Sequence, residues 1–290
     1  MSMQLCLGTA QFGLSYGITN QKGQVADDEV KKILSLAFHS DVQLFDTAQA
    51  YGTSEQVLGR CWPASMPKRV ISKLSANSSP EIWESSFQRS LQQLQVEHLE
   101  AILLHRASDL LQPNGELLMD WLWSLRSRGL VRLIGVSIYE GEDLLGLPLD
   151  RLQLVQLPLS IYDQRLLHDG SIQKLRKLGL AIHVRSVFLQ GLLLQDYSYW
   201  PSSLSSEFRL HHKNLQSYLQ LQGVSLLEGA LAFVRGCEGV EAVLVGVLSV
   251  SEFSEILKAW KRVLPLQSIS FADFAWENKL DLDPRQWKQQ

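Results

Sequence analysis

Residues 42–60 read VQLFDTAQAYGTSEQVLGR. The first five are a β-rich apolar run that closes on a carboxylate, Asp46. A short polar turn follows and presents Tyr51 beside a glycine. From residue 54 to 61 the pattern becomes helical. The stretch is therefore one strand, one loop and one helix. A carboxylate at the end of a buried strand needs a partner, and no neighbour in sequence supplies one.

The same unit recurs along the chain. Strand-like runs are LCLG (5–8), VQLFD (42–46), RVISK (69–73), EAILLH (100–105), RLIGVS (132–137), LQLVQ (152–156), LAIHVRS (180–186) and AVLVG (242–246). Helical spacing predicts helices over 27–40, 54–61, 80–94, 116–128, 140–147, 169–178, 225–235 and 251–263. Ser79-Pro80 starts one of them and Gly179 stops another, as capping chemistry requires. Eight strands alternating with eight helices predict a (β/α)8 barrel. The strands are near-continuously apolar, as strands covered on both faces should be. No GxGxxG follows the first strand, which argues against a dinucleotide-binding doubly wound sheet. Two pieces fall outside the repeat: a long loop insertion after strand seven, 188–223, and a C-terminal extension, 264–290. No low-complexity linker divides the chain, so 1–290 reads as a single domain.

Bulk properties narrow the function. The chain has 290 residues, is 46% hydrophobic and carries a net charge of −3, enough to bury a barrel-sized core. That charge gives no bulk attraction to nucleic acid or to an anionic membrane surface. Three cysteines without a CxxC speak for a reducing compartment rather than a disulfide framework. The opening MSMQLCLG shows no export signal, and no apolar run approaches the ~20 residues of a membrane span. A cytoplasmic location is expected. The sequence does not set the oligomeric state.

A barrel concentrates its chemistry where strands end. The predicted ends carry Asp46, Lys73, His105, Ser137, Gln156 and Arg185-Ser186. Strands two, three and four are neighbours in such a fold, so Asp46, Lys73 and His105 should converge below Tyr51. Lys73 is then the partner of Asp46. A free phenol titrates near 10 and is a poor acid at neutral pH. An adjacent ammonium favours the tyrosinate, and a carboxylate holds that ammonium in place. An imidazole can address the same oxygen as the phenol. Together they predict a tuned general acid beside a pocket for a carbonyl oxygen. Each residue alone has a plainer reading as a packing or ion-pair group; four at one rim do not.

These residues resemble the aldo-keto reductases. DTAQAYGTSEQVLG is similar to that family's DTAxxYGxSExxLG, ISKL carries its lysine, LLHR its histidine, and IGVSIY resembles its IGVSN segment. The likeness extends from LCLGTAQFG to AVLVGVLSVSEF, about 250 residues. It implies that Asp46, Tyr51, Lys73 and His105 are the catalytic tetrad with Tyr51 as proton donor. It also implies that Ser137 and Gln156 hold a nicotinamide carboxamide. The implied reaction is hydride transfer from a nicotinamide cofactor to an aldehyde or ketone, here a sugar-derived one on the strength of the polar, aromatic insertion. A small-molecule carbonyl compound is the only partner this calls for.

Three departures stand out. Ile138 replaces an amide that helps orient the carboxamide. Arg185 occupies the place of an aromatic that stacks on nicotinamide, with Ser186 following; a guanidinium can also stack. After strand eight, Gly246 leads into VLSVSEFSEI, where relatives carry a Lys or Arg for the 2′-phosphate and this chain offers only Ser249 and Glu255. The family implies NADP(H), and the missing cation opens NAD(H). Gly8 and Thr9, after strand one, are further candidates for cofactor contact. Tyr197, Tyr199 and Trp200 are candidates for a substrate wall, whereas Trp121 and Trp123 should pack against the barrel. His211 and His212 do not share a helix face, so no metal site is read there. The rival functions are a nucleotide-binding regulatory subunit with little turnover and a barrel lyase using Lys73 as a Schiff base.

Overall fold

Eight parallel strands pair in sequence order and close into a barrel: β1 (Gln4–Gly8), β2 (Leu44–Asp46), β3 (Arg69–Leu74), β4 (Leu99–Leu104), β5 (Val131–Ser137), β6 (Leu154–Pro158), β7 (Ala181–Arg185) and β8 (Val240–Gly246). The computed structural model describes residues 3–64, 66–75, 79–262 and 269–287. The outer layer holds α1 (Ala10–Gly13), α2 (Asp27–His39), α3 (Ser54–Cys61), α4 (Pro80–Leu94), α5 (Gly115–Ser127), α6 (Arg165–His168), α7 (Ser171–Lys177), α8 (Ser206–Leu221), α9 (Leu226–Gly236), α10 (Val250–Lys261) and α11 (Lys279–Leu282). Among the described residues no helix is long and apolar enough to cross a membrane.

Strand parity places the site. Successive side chains of a strand point to opposite faces. Cys6, Leu44, Ile71, Ala101, Leu103, Leu154, Ala242 and Leu244 fill the barrel interior. The intervening residues, such as Phe45, Val70, Ile102 and Val155, pack outward into the larger core under the helices. Two positions beyond the interior residues Leu44, Ile71, Leu103 and Leu154 stand Asp46, Lys73, His105 and Gln156. The polar groups are the top layer of the stack whose lower layers are apolar.

Local chemistry sets the helix ends. Pro80 opens α4 after Ser79, where a missing N–H costs nothing. Ser225 and Glu228 form a reciprocal capping box on α9. The structure departs from the sequence reading at four places. The predicted helix 140–147 is only a 3-10 turn, Gly141–Leu144, because Gly146 turns to φ 75° and Pro148 follows. The predicted helix 169–178 is present as the shorter α7, which starts after Gly170 at φ 78°, and a further short helix, α6, precedes it. β6 lies two residues later than 152–156, so Gln156 is inside the strand rather than at its end. The insertion 188–223 is not an open loop. It contains α8, which buries Phe208, His212, Leu215 and Leu219 on one face. The expected end of the last helix, Val263, and positions 264–268 and 288–290 of the extension lie outside the described residues.

The rest of the extension closes over α8. Trp276 stacks on Phe208 with ring centroids 5.1 Å apart. Asp281 is buried and accepts from Ser205 N and Oγ, Trp276 Nε1 and Asn278 Nδ2 at 2.7–3.1 Å. Trp121 packs against Trp83 and Phe87, and Trp123 donates to the Arg151 carbonyl at 3.1 Å.

Candidate active site

A cavity of about 370 Å³ opens at the C-terminal ends of the strands, within the range of small-molecule sites. Asp46, Tyr51, Lys73, His105, Ser137 and Gln156 all line it.

The turn after β2 is held rigidly, and that fixes Tyr51. Thr47 N bonds to Ile71 O at 2.8 Å and Gln49 N to Lys73 O at 3.1 Å, so the turn continues the β2–β3 ladder. The buried Ser54 hydroxyl donates to Thr9 O at 2.8 Å and lies 2.8–3.0 Å from the hydroxyls of Thr9 and Thr47. Glu55 accepts from Ser72 Oγ at 2.6 Å and Ser90 Oγ at 3.1 Å, and burial raises its carboxyl above the usual range. Gly13 and Gly52 let two backbones touch. A Cβ at Gly13 would collide with Tyr51 O, and a Cβ at Gly52, which sits at φ 55°, would collide with Gly13 O. The residues around Tyr51 in the sequence motif are thus its mounting.

Lys73 is buried and forms an ion pair with Asp46. It also donates to Thr47 O at 3.2 Å and lies 3.5 Å from the Tyr51 hydroxyl, 5.1 Å from the centre of its ring. Burial opposes the ammonium, but Asp46 and Tyr51 outweigh it and hold the Lys73 pKa above its ordinary value. A lysine kept charged is a poor Schiff-base nucleophile, which weakens the lyase reading. The second Asp46 oxygen accepts from Gln156 Nε2 at 2.8 Å across the barrel. His105 meets Tyr51 edge to face at 5.9 Å. Burial, with help from Lys73 and Arg185, drives its pKa down to about 4, so the ring is neutral near pH 7 and carries a single N–H to offer. The four groups converge as the strand ends require, and the arrangement can donate a proton into the cavity and stabilise the anion left behind.

Gln156 leaves one sign of a ligand. Among the described residues its Oε1 is buried without a hydrogen-bond partner, an acceptor whose capacity is unused. Ser137 lines the cavity beside it, in register with Gln156. Gly8 and Gly246 pair across β1 and β8 and present bare backbone to the cavity. Thr9 lines the cavity too, but its hydroxyl donates to Asp46 O at 3.0 Å and so ties β1 to β2. The Ile138 side chain is buried, and its carbonyl accepts from Arg185 at 2.9 Å. Arg185 lies over the Tyr139 ring, its guanidinium carbon 4.1 Å from the ring centre, and its other amino group reaches Ser186 Oγ at 3.3 Å. Ser186 takes a left-handed φ of 61°, which re-aims the chain at the cavity edge. Ser249 caps α10 through a bond from Glu252 N and does not line the cavity, whereas Glu255 does.

Sequence reading missed several lining residues: Tyr16, Asn20, Tyr139, Gln190 and Glu252. Tyr139 was within reach, because it directly follows the IGVSI run. Gln190 was not. It sits in a turn at φ 54°, accepts from Ile18 N at 3.0 Å and joins the β7 loop to the β1 loop. The aromatic residues of the insertion behave differently from the expectation of a substrate wall. Trp200 is buried, donates to Leu192 O and packs on Phe208 and His212. Tyr197 packs against the core and Tyr199 is exposed on a separate depression. His212 bonds to the Tyr162 hydroxyl at 2.6 Å and to Gln195 O, and His211 to Phe274 O.

Residues 4–277 match the profile of the Aldo/keto reductase family. Curated relatives include an Arabidopsis thaliana chloroplastic pyridoxal reductase, 29% identical over 59% of this chain and 53% of that protein. Another is Arabidopsis thaliana L-galactose dehydrogenase, 26% identical over 82% of this chain and 79% of that one. The match thus spans about half the length of the first relative. An aldo-keto reductase of Bacillus halodurans in its holo form superposes with a TM-score of 0.78 at 16% identity, over 96% and 95% of the two chains. Glycerol dehydrogenase of Gluconobacter oxydans gives 0.68 at 20%, over 91% and 88%. At such identities the superpositions speak for the fold.

Proposed function

The chain belongs to the aldo/keto reductase family, and from that premise we propose that it reduces an aldehyde or ketone to an alcohol with a nicotinamide dinucleotide as hydride source. One arrangement carries this reading: the Tyr51 hydroxyl lies 3.5 Å from an ammonium that Asp46 holds in place, at the floor of a cavity.

The bound cofactor supplies hydride to the carbonyl carbon. This chain's residues manage the oxygen. Tyr51 gives its proton to the forming alkoxide, and Lys73 stabilises the phenolate that remains. Neutral His105 donates a hydrogen bond toward the same oxygen and so orients the carbonyl. Ser137 and the unpartnered Gln156 Oε1 fit a carboxamide, the latter as acceptor for its N–H. Arg185, held over the Tyr139 ring, lines the cavity with them. Tyr16, Tyr139 and Asn20 suit a polar, sugar-derived carbonyl compound.

The test is a panel of carbonyl compounds including pyridoxal, hexoses and small aldehydes, with NADH and with NADPH, read at the reduced-nicotinamide absorbance. Turnover in the wild type and its loss in Tyr51→Phe support the reading. Tight cofactor binding with no turnover of any compound would instead identify a nucleotide-binding regulatory subunit.

A further inference from the structure

Two buried polar atoms on neighbouring strands, Gln156 Oε1 and His183 Nδ1, have no hydrogen-bond partner among the described residues. We propose that they hold an ordered water between them, and that through this water His183 is a positioning residue for Gln156, Asp46 and Lys73. The water site stands on the geometry of the barrel interior. The positioning role rests on the reductase reading and deepens it.

Strand register brings the pair together. Gln156 on β6 is the Cα partner of His183 on β7, and His183 is in turn the partner of Ala242 on β8. Gln156 stands two positions beyond Leu154, and His183 two beyond Ala181. Leu154 and Ala242 belong to the interior layer of the barrel, and Ala181 packs against it. Parity therefore points both polar side chains into the barrel interior. Gln156 is fully buried and His183 only 5% exposed. The charges of Asp46 and Lys73 both act on the His183 ring, as they must if it shares that interior.

The chemistry of the two atoms explains why they do not bond to each other. Burial, the largest cause, holds the His183 pKa down to about 4, so the ring is neutral near pH 7 and carries one N–H and one bare nitrogen. With the proton on Nε2, Nδ1 is an acceptor, and so is the Gln156 carbonyl oxygen. Two acceptors cannot bond directly. A water has two O–H groups and satisfies both, as buried waters do for groups left over by the fold. One hydrogen-bonded chain then runs from the interior to the phenol. Gln156 Nε2 donates to Asp46 Oδ2 at 2.8 Å, Asp46 pairs with Lys73, and Lys73 lies 3.5 Å from the Tyr51 hydroxyl. The Gln156 amide is held at its nitrogen by Asp46 and at its oxygen by the water, and a second lone pair on that oxygen remains for a bound cofactor.

High-resolution crystallography of the whole protein tests the site. One water should lie within hydrogen-bond reach of both atoms in the wild type and in His183→Asn, whose side-chain amide occupies the place of Nδ1. His183→Leu should lose it. A dry interior, or a direct bond between His183 and Gln156, overturns the proposal. Kinetics test the role. His183→Leu should lower kcat roughly fivefold or more while KM for the carbonyl compound hardly moves. His183→Asn should restore most of that loss, and His183→Gln, which carries its amide one carbon farther out, should not. Should His183→Leu fail to fold, the contrast between Asn and Gln carries the same test. In a Gln156→Met background, His183→Leu should cost no further turnover. An equal drop in that background, or a loss confined to melting temperature, overturns the positioning role and leaves the reductase reading standing. No turnover by the wild type overturns the reductase reading and the positioning role with it, and the electron density then decides the water site by itself.

Discussion

Gln156 on β6 donates from Nε2 to Asp46 Oδ2 on β2 at 2.8 Å, across the mouth of the barrel and 110 residues apart in sequence. The bond does two things. It completes the satisfaction of a carboxylate that Lys73 already pairs, and it leaves Gln156 Oε1 buried and, among the described residues, without a partner. Lys73, Asp46 and Gln156 are therefore one hydrogen-bonded unit at the strand ends.

Replacing Gln156 with Ala should weaken nicotinamide cofactor binding and loosen Asp46 together. Loss of one such buried bond is worth about 1–3 kcal/mol, a rise in Kd of roughly 5- to 150-fold. Fluorescence titration of the bound cofactor measures it. An unchanged Kd would mean that Oε1 meets no cofactor.

Tyr51→Phe removes the proton and little else. The ring keeps its packing against His105. Turnover should fall by about 10²–10⁴-fold, while cofactor Kd and melting temperature hardly move. Stopped-flow and calorimetry on the same preparation check both halves; retained turnover would move the acid elsewhere.

Lys73→Met strands a buried carboxylate. Breaking one partner of such a pair costs about 3–5 kcal/mol, and chemical denaturation should show it. The double variant Asp46→Asn with Lys73→Met should recover part of that loss in stability but none of the activity. Recovery of activity would show that the charges are structural.

Three histidines make stability depend on pH. Burial, the largest cause in each, holds His105, His183 and His212 down to about 4 in the folded protein, against ~6.5 in an unfolded chain. The unfolded state therefore takes up protons first. Their contribution is fully present above pH 6.5 and is lost as pH falls from there toward 4. For the most enclosed, His183 and His212, the slope reaches up to about 1.4 kcal/mol per pH unit each. Melting temperature should fall over that window, and His183→Gln should make the fall shallower. Because His105 stays neutral across the same window, the pH profile of kcat/KM should show no histidine limb near 6.5.

The C-terminal segment is pinned by one acid. Asp281→Ala would leave the donors from Ser205, Trp276 and Asn278 unpaired. A loss of about 1–3 kcal/mol follows from partly buried donors losing an anionic acceptor, with proteolytic cleavage of the segment as an independent readout. Wild-type protease resistance in that variant would show that the other contacts of the segment, Trp276 on Phe208 and His211 with Phe274 O among them, suffice.

The barrel and the meeting of Asp46, Lys73 and His105 at one rim were legible in the amino-acid order because both follow from a period of two. An apolar strand that ends in Asp46, Lys73 or His105 must point that residue the same way as the core residue two places before it, whatever the rest of the chain does. The 3-10 turn at Gly141–Leu144 in place of a helix and the helix hidden in the insertion were not legible. Their outcome turned on φ at single glycines and on His212 sitting in an otherwise apolar helix face. Only the tertiary structure decided that Gln156 would face Asp46, that Arg185 would lie on Tyr139, and that Glu29 would reach Val250 from 221 residues away. Those contacts join elements remote in the chain, and their energies depend on closure of the barrel, which no local pattern of residues encodes.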